Sequence, residues 1–290
     1  MKLRAPAYPL ITIDPYFSVW SPVTDPTEAD TVHWTNKPNT ISIVANVDGK
    51  EFRLIGAYGN ENIPAAEFVS ADCTAFSTTY QYIANGAKIT LIFTSPIIPD
   101  DLYLLSRPIS YLEVVKESFD GKRHEMSLRI EVSEEICMNL RGDDEICEEI
   151  TQLGKYSSVK IGRKDQKVLS RDGDDLRIEW GYFYLTGIGN AYCRKDSEGM
   201  AFAGINAEVK DDDLSSVVLY YRISDISSVY HSTLMSNIYG SSLYTGLVPA
   251  ESLADKSIDF FIVATDMQGI QSSYGEAAHP IVLPIESLPT

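Results

Sequence analysis

Short runs of alternating apolar and polar residues, separated by tight-turn dipeptides, dominate this chain. Asp48-Gly49, Asn85-Gly86 and Asp120-Gly121 each stand between two β-rich segments. Such dipeptides favour hairpins because both central residues of the turn need a positive φ. We therefore predict three hairpins, which pair residues 41–47 with 51–55, 78–84 with 88–94, and 109–118 with 125–132.

The first 22 residues combine prolines with aromatic residues. Prolines at positions 9, 15 and 22 exclude a helix, because proline lacks an amide donor and restricts the residue before it. We predict two short extended pieces, kinked at Asp14-Pro15, that lie along a larger sheet. Residues 109–118 carry apolar groups on both faces, which indicates a sheet covered on both sides, as in a large sandwich.

The alternation stops at residues 134–155, which are strongly acidic. Ile146, Ile150 and Leu153 fall at helical spacing, so we predict a short amphipathic helix or a long loop. Strands are expected again at residues 157–161, 167–170 and 177–185. Residues 186–204 hold four glycines among polar residues, which is typical of a linker or a domain edge.

The pattern of predicted strands changes beyond residue 205. We expect about seven short strands in about 80 residues there, a pattern typical of an immunoglobulin-like sandwich. Because a Cys–Trp–Cys core is lacking, a fibronectin-type or bacterial Ig-like module is expected. The predicted fold is all-β, with a large supersandwich-like N-terminal β-sandwich domain at residues 1–200 and an Ig-like β-sandwich domain at residues 205–290.

Charge narrows the classes of partner. The 290-residue chain has a formal net charge of −17, which repels nucleic acid and anionic membranes at long range. No run approaches the ~18 apolar residues of a membrane helix, and no apolar signal core follows Met1-Lys2. We expect neither nucleic-acid binding nor membrane insertion. The chain is either cytoplasmic or the product of signal-peptide removal.

Metal and redox motifs are missing from the sequence. The four cysteines form no CxxC pair and the four histidines no HExxH spacing. Cys137 and Cys147 bracket a polar loop, and either a disulfide or two thiols fits that spacing. Gly187-Ile188-Gly189 lacks the third glycine of a dinucleotide-binding loop. We therefore predict no cofactor, no metal site and no catalytic residue.

The acidic residues suggest two further kinds of site, a calcium site and a glycosidase carboxylate pair. Acidic clusters at residues 143–149 and 211–213 suit either calcium or solvent, and they lack the ligand spacing of a calcium loop. Glu134, Glu135 and Glu179 are candidates for a glycosidase pair, which needs two carboxylates facing one bond. Because acidic residues are abundant in this chain, chance explains these three better than a catalytic pair does.

An aromatic residue in a polar loop is the strongest candidate for ligand contact. His33 and Trp34 lie in the polar stretch 30–38, and we predict them as binding residues. Together with Tyr16, Phe17 and Trp20, Trp34 also suits a sugar-stacking platform. The alternative is packing in the core or at an interface, because aromatic side chains mostly bury large areas.

Several segments stand in an order that points to one family. The most specific is Asp14-Pro15-Tyr16-Phe17-Ser18-Val19-Trp20-Ser21. The others are residues 3–6, 9–10, 30–35, 37–38, 47–50, 53–54, 95–96, 99–102, 104–111 and 175–185. Together these segments resemble the N-terminal β-sandwich region of the secreted glutaminase A family, over roughly residues 3–185.

The resemblance sets the expected function. Members of that family continue into a large helical-barrel domain associated with the active site, and nothing in this sequence resembles that domain. The resemblance therefore implies a non-catalytic accessory module that binds a glycan, a peptide or a protein, or serves a separate catalytic domain or subunit. It also implies a secreted, periplasmic or cell-surface location. The alternative is a stand-alone amide or glycoside hydrolase that uses carboxylates of the large β domain.

Overall fold

The chain is almost entirely β and divides into two compact units, Met1–Lys210 and Asp211–Thr290. A computed structural model describes residues 5–139, 146–209, 214–224, 228–237, 244–245, 248, 257–266 and 271–284. The all-β prediction is confirmed. Among the described residues no helix is long and apolar enough to cross a membrane.

The first unit contains fourteen described strands and two short helical turns. The strands are β1 (Tyr8–Asp14), β2 (Phe17–Ser21), β3 (Ile41–Val47), β4 (Lys50–Ile55), β5 (Glu67–Cys73), β6 (Ser77–Ala84), β7 (Ala87–Thr94), β8 (Tyr111–Ser118), β9 (Met126–Ser133), β10 (Ile146–Leu153), β11 (Tyr156–Arg163), β12 (Phe183–Ile188), β13 (Asn190–Lys195) and β14 (Ala201–Val209). Helix α1 spans Leu102–Leu105, and a 3-10 turn spans Glu134–Ile136.

These strands form four antiparallel sheets. Their orders are β13-β14-β9-β3-β4, β5-β6-β7-β8, β10-β11-β12 and β1-β2. The first three sheets contribute to one apolar cluster, with Ile43 and Leu128 from the first, Tyr80 and Leu91 from the second, and Val159 from the third. Burying one such side chain contributes about 1.5–3 kcal/mol. The layers of this unit are therefore held together by one shared core.

Two of the three predicted hairpins are confirmed. Strands β3 and β4 pair across Asp48 and Gly49, whose φ values are 52° and 81°. Strands β6 and β7 pair across Asn85 and Gly86, with φ values of 46° and 86°. The third prediction is wrong, because β8 pairs with β7, whereas β9 pairs with β3 and β14. The chain between β8 and β9 is thus a crossover between two sheets.

His124 ties this crossover to the neighbouring turns. Its Nδ1 lies 2.7 Å from Asp48 Oδ2 and its Nε2 lies 2.9 Å from Asp120 Oδ1. The amide of Phe119 donates to the carbonyl of Gly86 at 2.8 Å. Hydrogen bonds to Asp48 and then to Asp120 raise the pKa of His124, and the His124 bond lowers the pKa of Asp120 to about 2. We refer to His124, Asp48 and Asp120 as the turn cluster.

Four other expectations about local structure are wrong, wholly or in part. Residues 146–153 form strand β10 and no helix, because they pair with β11 along their whole length. No strand forms at residues 167–170, and of the strand expected at 177–185 only residues 183–185 lie in one, at the start of β12. The predicted linker at 186–204 contains strands β12 to β14, whose backbone groups pair within the first unit. Glycine is needed there, since a Cβ on Gly189 would lie 2.2 Å from the carbonyl oxygen of Asn206. Residues 143–145 and 211–213 of the acidic clusters lie outside the described residues.

The second unit contains strands β15 to β21 among the described residues. They are β15 (Leu214–Ile223), β16 (His231–Leu234), β17 (Ser236–Asn237), β18 (Tyr244–Thr245), β19 (Ser257–Asp266), β20 (Gln271–Tyr274) and β21 (Ile281–Pro284). One sheet has the order β16-β15-β19-β20 with β21 paired to β19, and β17 pairs with β18. Residues 205–209, expected in this unit, instead pair with β9 in the first. The domain assignments, including the Ig-like module, stay predictions.

The turn cluster predicts a specific pH dependence. Because folding raises the pKa of His124, its contribution to stability is full below the ordinary histidine pKa and is lost as pH rises through the raised value. His124→Asn should therefore lose more unfolding free energy, relative to wild type, at about pH 5.5 than at about pH 9. Urea unfolding at both pH values measures this difference. His279→Asn, at an exposed histidine, is the control, and an equal loss at both pH values would contradict the charge argument.

Candidate functional site

A shallow depression lies on the first β-hairpin. Its volume is about 410 Å³, and we call it the head groove; its lining residues are Thr12, Asp14, Pro15, Ser18, Trp20 and Trp34. All but Trp34 belong to β1, β2 or the turn between them. The predicted pair of extended pieces at the head of the chain is therefore present, and it carries the groove.

Strand alternation decides which side chains reach the groove. Thr12 pairs with Ser18, and Ile11 pairs with Val19. Ile11 and Val19 belong to the core cluster, so Thr12 and Ser18 lie on the opposite face of the hairpin. At the kink, Asp14 Oδ1 accepts hydrogen bonds from the amides of Tyr16, at 2.7 Å, and Phe17, at 3.0 Å. This Asx-type turn fixes the end of the groove.

The loop that carries His33 and Trp34 is fixed against β2. Val32 exchanges two backbone hydrogen bonds with Trp20, at 2.7 and 2.9 Å. The His33 amide donates to the carbonyl of Lys37 at 2.8 Å, and Asn36 takes a φ of 67°. This loop is therefore an ordered part of the hairpin layer.

His33 is a supporting residue of the groove. Its side chain is 0% exposed. Nε2 lies 3.1 Å from the Pro15 carbonyl oxygen, which only accepts, so Nε2 carries the proton and Nδ1 accepts from Thr35 Oγ1 at 2.9 Å. Burial lowers the pKa of His33, and the charge of Arg177 lowers it further. Both ring nitrogens are engaged, so the assignment of His33 as a ligand contact stays a prediction.

Trp34 presents its ring to solvent from a fixed position. The side chain is 57% exposed, and its Nε1 donates to the carbonyl of Pro15 at 2.6 Å. That carbonyl therefore accepts from His33 and Trp34 together. The bond consumes the only polar atom of the indole and leaves an apolar face at the rim of the groove.

Two polar atoms of the groove have no hydrogen-bond partner among the described residues. They are Ser18 Oγ and Trp20 Nε1, both buried. Ser18 is only 4% exposed, and its carbonyl already accepts from Asn39 Nδ2 at 3.0 Å. An unsatisfied buried polar atom costs about 1–3 kcal/mol. Such atoms call for an explanation, and a ligand is one.

The four aromatic residues proposed as a stacking platform separate into two groups. The Tyr16 ring packs edge-on against Trp180, with centroids 5.5 Å apart, and Phe17 stacks on Phe183 at 6.0 Å. Trp20 and Trp34 line the groove. Tyr16 and Phe17 thus hold the hairpin to later parts of the chain.

A second surface of the same unit is apolar and exposed. It lies between β7 and the start of β8, and we call it the apolar segment; its exposed side chains are Ile97, Ile98, Leu102, Tyr103, Leu104, Leu105, Ile109 and Tyr111. Helix α1 buries none of its four residues. The sequence analysis did not predict this surface, although the apolar run Leu102-Tyr103-Leu104-Leu105 could have indicated it.

The buried carboxylates have structural partners. Glu135 Oε2 accepts from Thr40 Oγ1 and from Ser133 Oγ, each at 2.9 Å. Glu134 Oε2 accepts from the amide of Ala201 at 2.9 Å. The structure thus assigns Glu134 and Glu135 to holding the end of β9 against its neighbours.

Arginines engage the remaining buried carboxylates. Glu179 lies 2.9 Å from Arg171 and 3.1 Å from Arg163. Glu131 is paired with Arg129 and Arg194. Burial raises the pKa of Glu131, but its hydrogen bond to Arg194 and the charges of both arginines outweigh burial and lower it overall.

The described residues show no metal centre. No group of three or more His, Cys, Asp or Glu side chains among them is placed to hold a metal ion. Cys73, Cys137 and Cys193 are free thiols, so the disulfide alternative for Cys137 and Cys147 is not realised. Burial raises the pKa of Cys137 to about 12, which keeps the thiol protonated.

Comparisons with known proteins identify two regions of the chain. A family model described as a domain of unknown function (DUF5127) matches residues 76–225, and a second, also of unknown function (DUF4964), matches residues 1–66.

Two curated proteins are similar to the chain. Glutaminase A of Aspergillus oryzae (strain ATCC 42149 / RIB 40) is 27% identical over 220 residues, which covers 71% of this chain and 30% of that protein. A probable glutaminase of Arthroderma benhamiae (strain ATCC MYA-4681 / CBS 112371) is 24% identical over 206 residues, or 63% of this chain and 23% of that protein. The chain thus spans less than a third of these relatives. The expected relationship to glutaminase A is confirmed as a distant similarity that covers the N-terminal part of this chain, about 70% of its length.

The groove geometry predicts that substitutions at two neighbouring residues destabilise the protein to different extents. His33→Ala should lower the free energy of unfolding by about 2 kcal/mol, because it removes a fully buried ring and two hydrogen bonds. Trp34→Ala should cost less than about 1 kcal/mol, because the side chain is largely exposed and makes one bond. Denaturant unfolding compares the two variants. Equal losses would show that Trp34 is a packing residue.

Proposed function

The chain belongs to the DUF5127 family, and from this premise we propose that it is a non-catalytic accessory module that docks onto a protein partner. The distant similarity of the chain to glutaminase A supports a role beside a glutaminase A-like protein. The partner would be a separate catalytic domain or subunit of a glutaminase A-like system. We also propose a secreted, periplasmic or cell-surface location, which the similarity to glutaminase A supports.

The observation that carries the docking proposal is the apolar segment. Leu102 and Tyr103 are 74% and 70% exposed, and six further large apolar side chains lie within ten residues of them. Clusters of exposed apolar side chains often mark interaction sites in proteins, because water around them is displaced on binding. Protein interfaces are enriched in such anchors, Tyr among them.

The apolar segment is held in shape although it is exposed. Asp101 Oδ1 caps α1 by accepting from the amide of Leu104 at 3.0 Å. The guanidinium of Arg107 lies 4.4 Å from the centroid of the Tyr103 ring. Such preorganisation lowers the entropic cost of binding. A rigid apolar surface is what a docking partner requires.

The charge of the chain favours a different protein over a second copy. A formal net charge of −17 makes two copies repel each other at long range. A partner with a basic rim around an apolar centre would instead be attracted.

The alternative function, a stand-alone amide or glycoside hydrolase, has less support. General acid–base catalysis needs a group free to exchange a proton with the substrate. Four carboxylates are buried and already engaged: Glu131 and Glu179 form ion pairs with arginines, and Glu134 and Glu135 accept hydrogen bonds from other parts of the chain. These contacts support a structural role for the carboxylates that the hydrolase would need.

The docking proposal predicts a surface-specific cross-link. A photoreactive benzoylphenylalanine at Tyr103, introduced in the organism that makes the chain, should cross-link to one protein, which mass spectrometry identifies. The matched control is Phe119, which is also exposed and follows the opposite end of β8. Cross-linking only at Tyr103 supports the proposal. Equal cross-linking at both positions, or none at Tyr103, contradicts it.

A double substitution tests the same surface energetically. Leu102→Ser with Tyr103→Ser should weaken binding of the cross-linked partner by about 100-fold, because both side chains are anchors of the interface. Thermal stability should change little, because both residues are exposed. Calorimetric titration and thermal melts separate the two effects. Retained affinity would place the interface elsewhere.

The non-catalytic part of the proposal has its own test. We expect the purified chain to release no ammonia from glutamine and no aryl group from aryl glycosides above buffer. Turnover that survives repurification and disappears in Glu135→Gln or Glu179→Gln would make the hydrolase alternative correct. Circular dichroism of the variants serves as the folding control.

A further inference from the structure

We propose that the head groove binds a neutral saccharide. This site lies on the hairpin β1–β2, and the inference goes beyond the docking function because it uses a different surface and a different kind of ligand. Two properties of the groove carry it: a fixed indole face and buried polar atoms without partners among the described residues.

Trp34 supplies the stacking face. Its ring is 57% exposed, yet it is held by the 2.6 Å bond from its Nε1 to the Pro15 carbonyl. A rigid aromatic side chain loses little conformational entropy on binding. The C–H face of a pyranose ring is flat and apolar, so it covers an indole whose own polar atom is already engaged.

Ser18 and Trp20 supply the polar contacts. Ser18 Oγ has no partner among the described residues and can both donate and accept, whereas the unpartnered Trp20 Nε1 only donates. Asp14, at the end of the groove, adds its Oδ2, which only accepts, because its Oδ1 already accepts from the amides of Tyr16 and Phe17. Sugar hydroxyls donate and accept, so a saccharide complements all three groups. The volume of about 410 Å³ falls within the range of about 300–1,000 Å³ for small-ligand sites.

Other ligand classes fit the groove less well. A peptide added as a strand needs a free sheet edge, but at Trp20, which lines the groove, the edge of β2 that faces away from β1 is already paired with Val32. An anion would meet Asp14 and a formal net charge of −17. A wholly apolar ligand would leave Ser18 Oγ and Trp20 Nε1 unsatisfied. A neutral ligand with hydroxyl groups and one apolar face remains.

The test is titration calorimetry of the whole chain with cellohexaose, laminarihexaose and mannohexaose. A parallel arm uses a glycoprotein with high-mannose N-linked glycans and its deglycosylated form, which separates polysaccharide from protein-linked glycan as the source. We expect at least one of these probes to bind. Trp34→Ala should then weaken binding by about tenfold or more, and Tyr103→Ala, in the apolar segment, should leave affinity unchanged.

Ser18→Ala distinguishes a ligand contact from a packing residue. Because Ser18 Oγ has no partner among the described residues, its removal should weaken saccharide binding severalfold without lowering the melting temperature. The inference is overturned if no probe binds, if Trp34→Ala and Ser18→Ala both retain wild-type affinity, or if Tyr103→Ala weakens binding as strongly as they do. Failure of the docking cross-link would leave these outcomes unaffected.

Discussion

Burial of one apolar core shared by three sheets is the constraint on which the first unit depends. No single sheet covers its own apolar face, so Ile43, Tyr80 and Val159 must meet in one cluster. The crossover between β8 and β9 follows from that requirement, because the two strands belong to different sheets. The short sheet β1-β2 depends on it as well. Ile11 and Val19 anchor the hairpin in the core, and the groove can form on its other face.

The buried carboxylates at the margins of the core are engaged by neighbouring residues, and this structural role limits where function can lie. Glu131 with Arg194 and Glu135 with Thr40 join elements far apart in sequence. A buried ion pair adds little net stability, yet breaking it costs about 3–5 kcal/mol, because one charge is left uncompensated. Carboxylates committed in this way hold strands in register. Contacts with other molecules are left to the surface.

Two surfaces of the first unit are suited to different kinds of partner. The apolar segment exposes large side chains that no described part of the chain covers. The head groove buries polar atoms that no described residue satisfies. The first imbalance is relieved by apolar contact, and the second by hydrogen bonds from a polar ligand. A module that binds two kinds of partner at two surfaces would hold both in proximity.

The sequence by itself determined the all-β class, the hairpins at Asp48-Gly49 and Asn85-Gly86, the two extended pieces kinked at Asp14-Pro15, and the relationship to glutaminase A. Each of these depends on local φ preferences or on segments read in order. The sequence did not predict that Asp120-Gly121 belongs to a crossover, that residues 146–153 form a strand, or that 186–204 are paired. It also did not separate buried His33 from exposed Trp34. These outcomes depend on which strand a segment meets in space, since long-range pairing and burial override local spacing, and only the tertiary structure decides them.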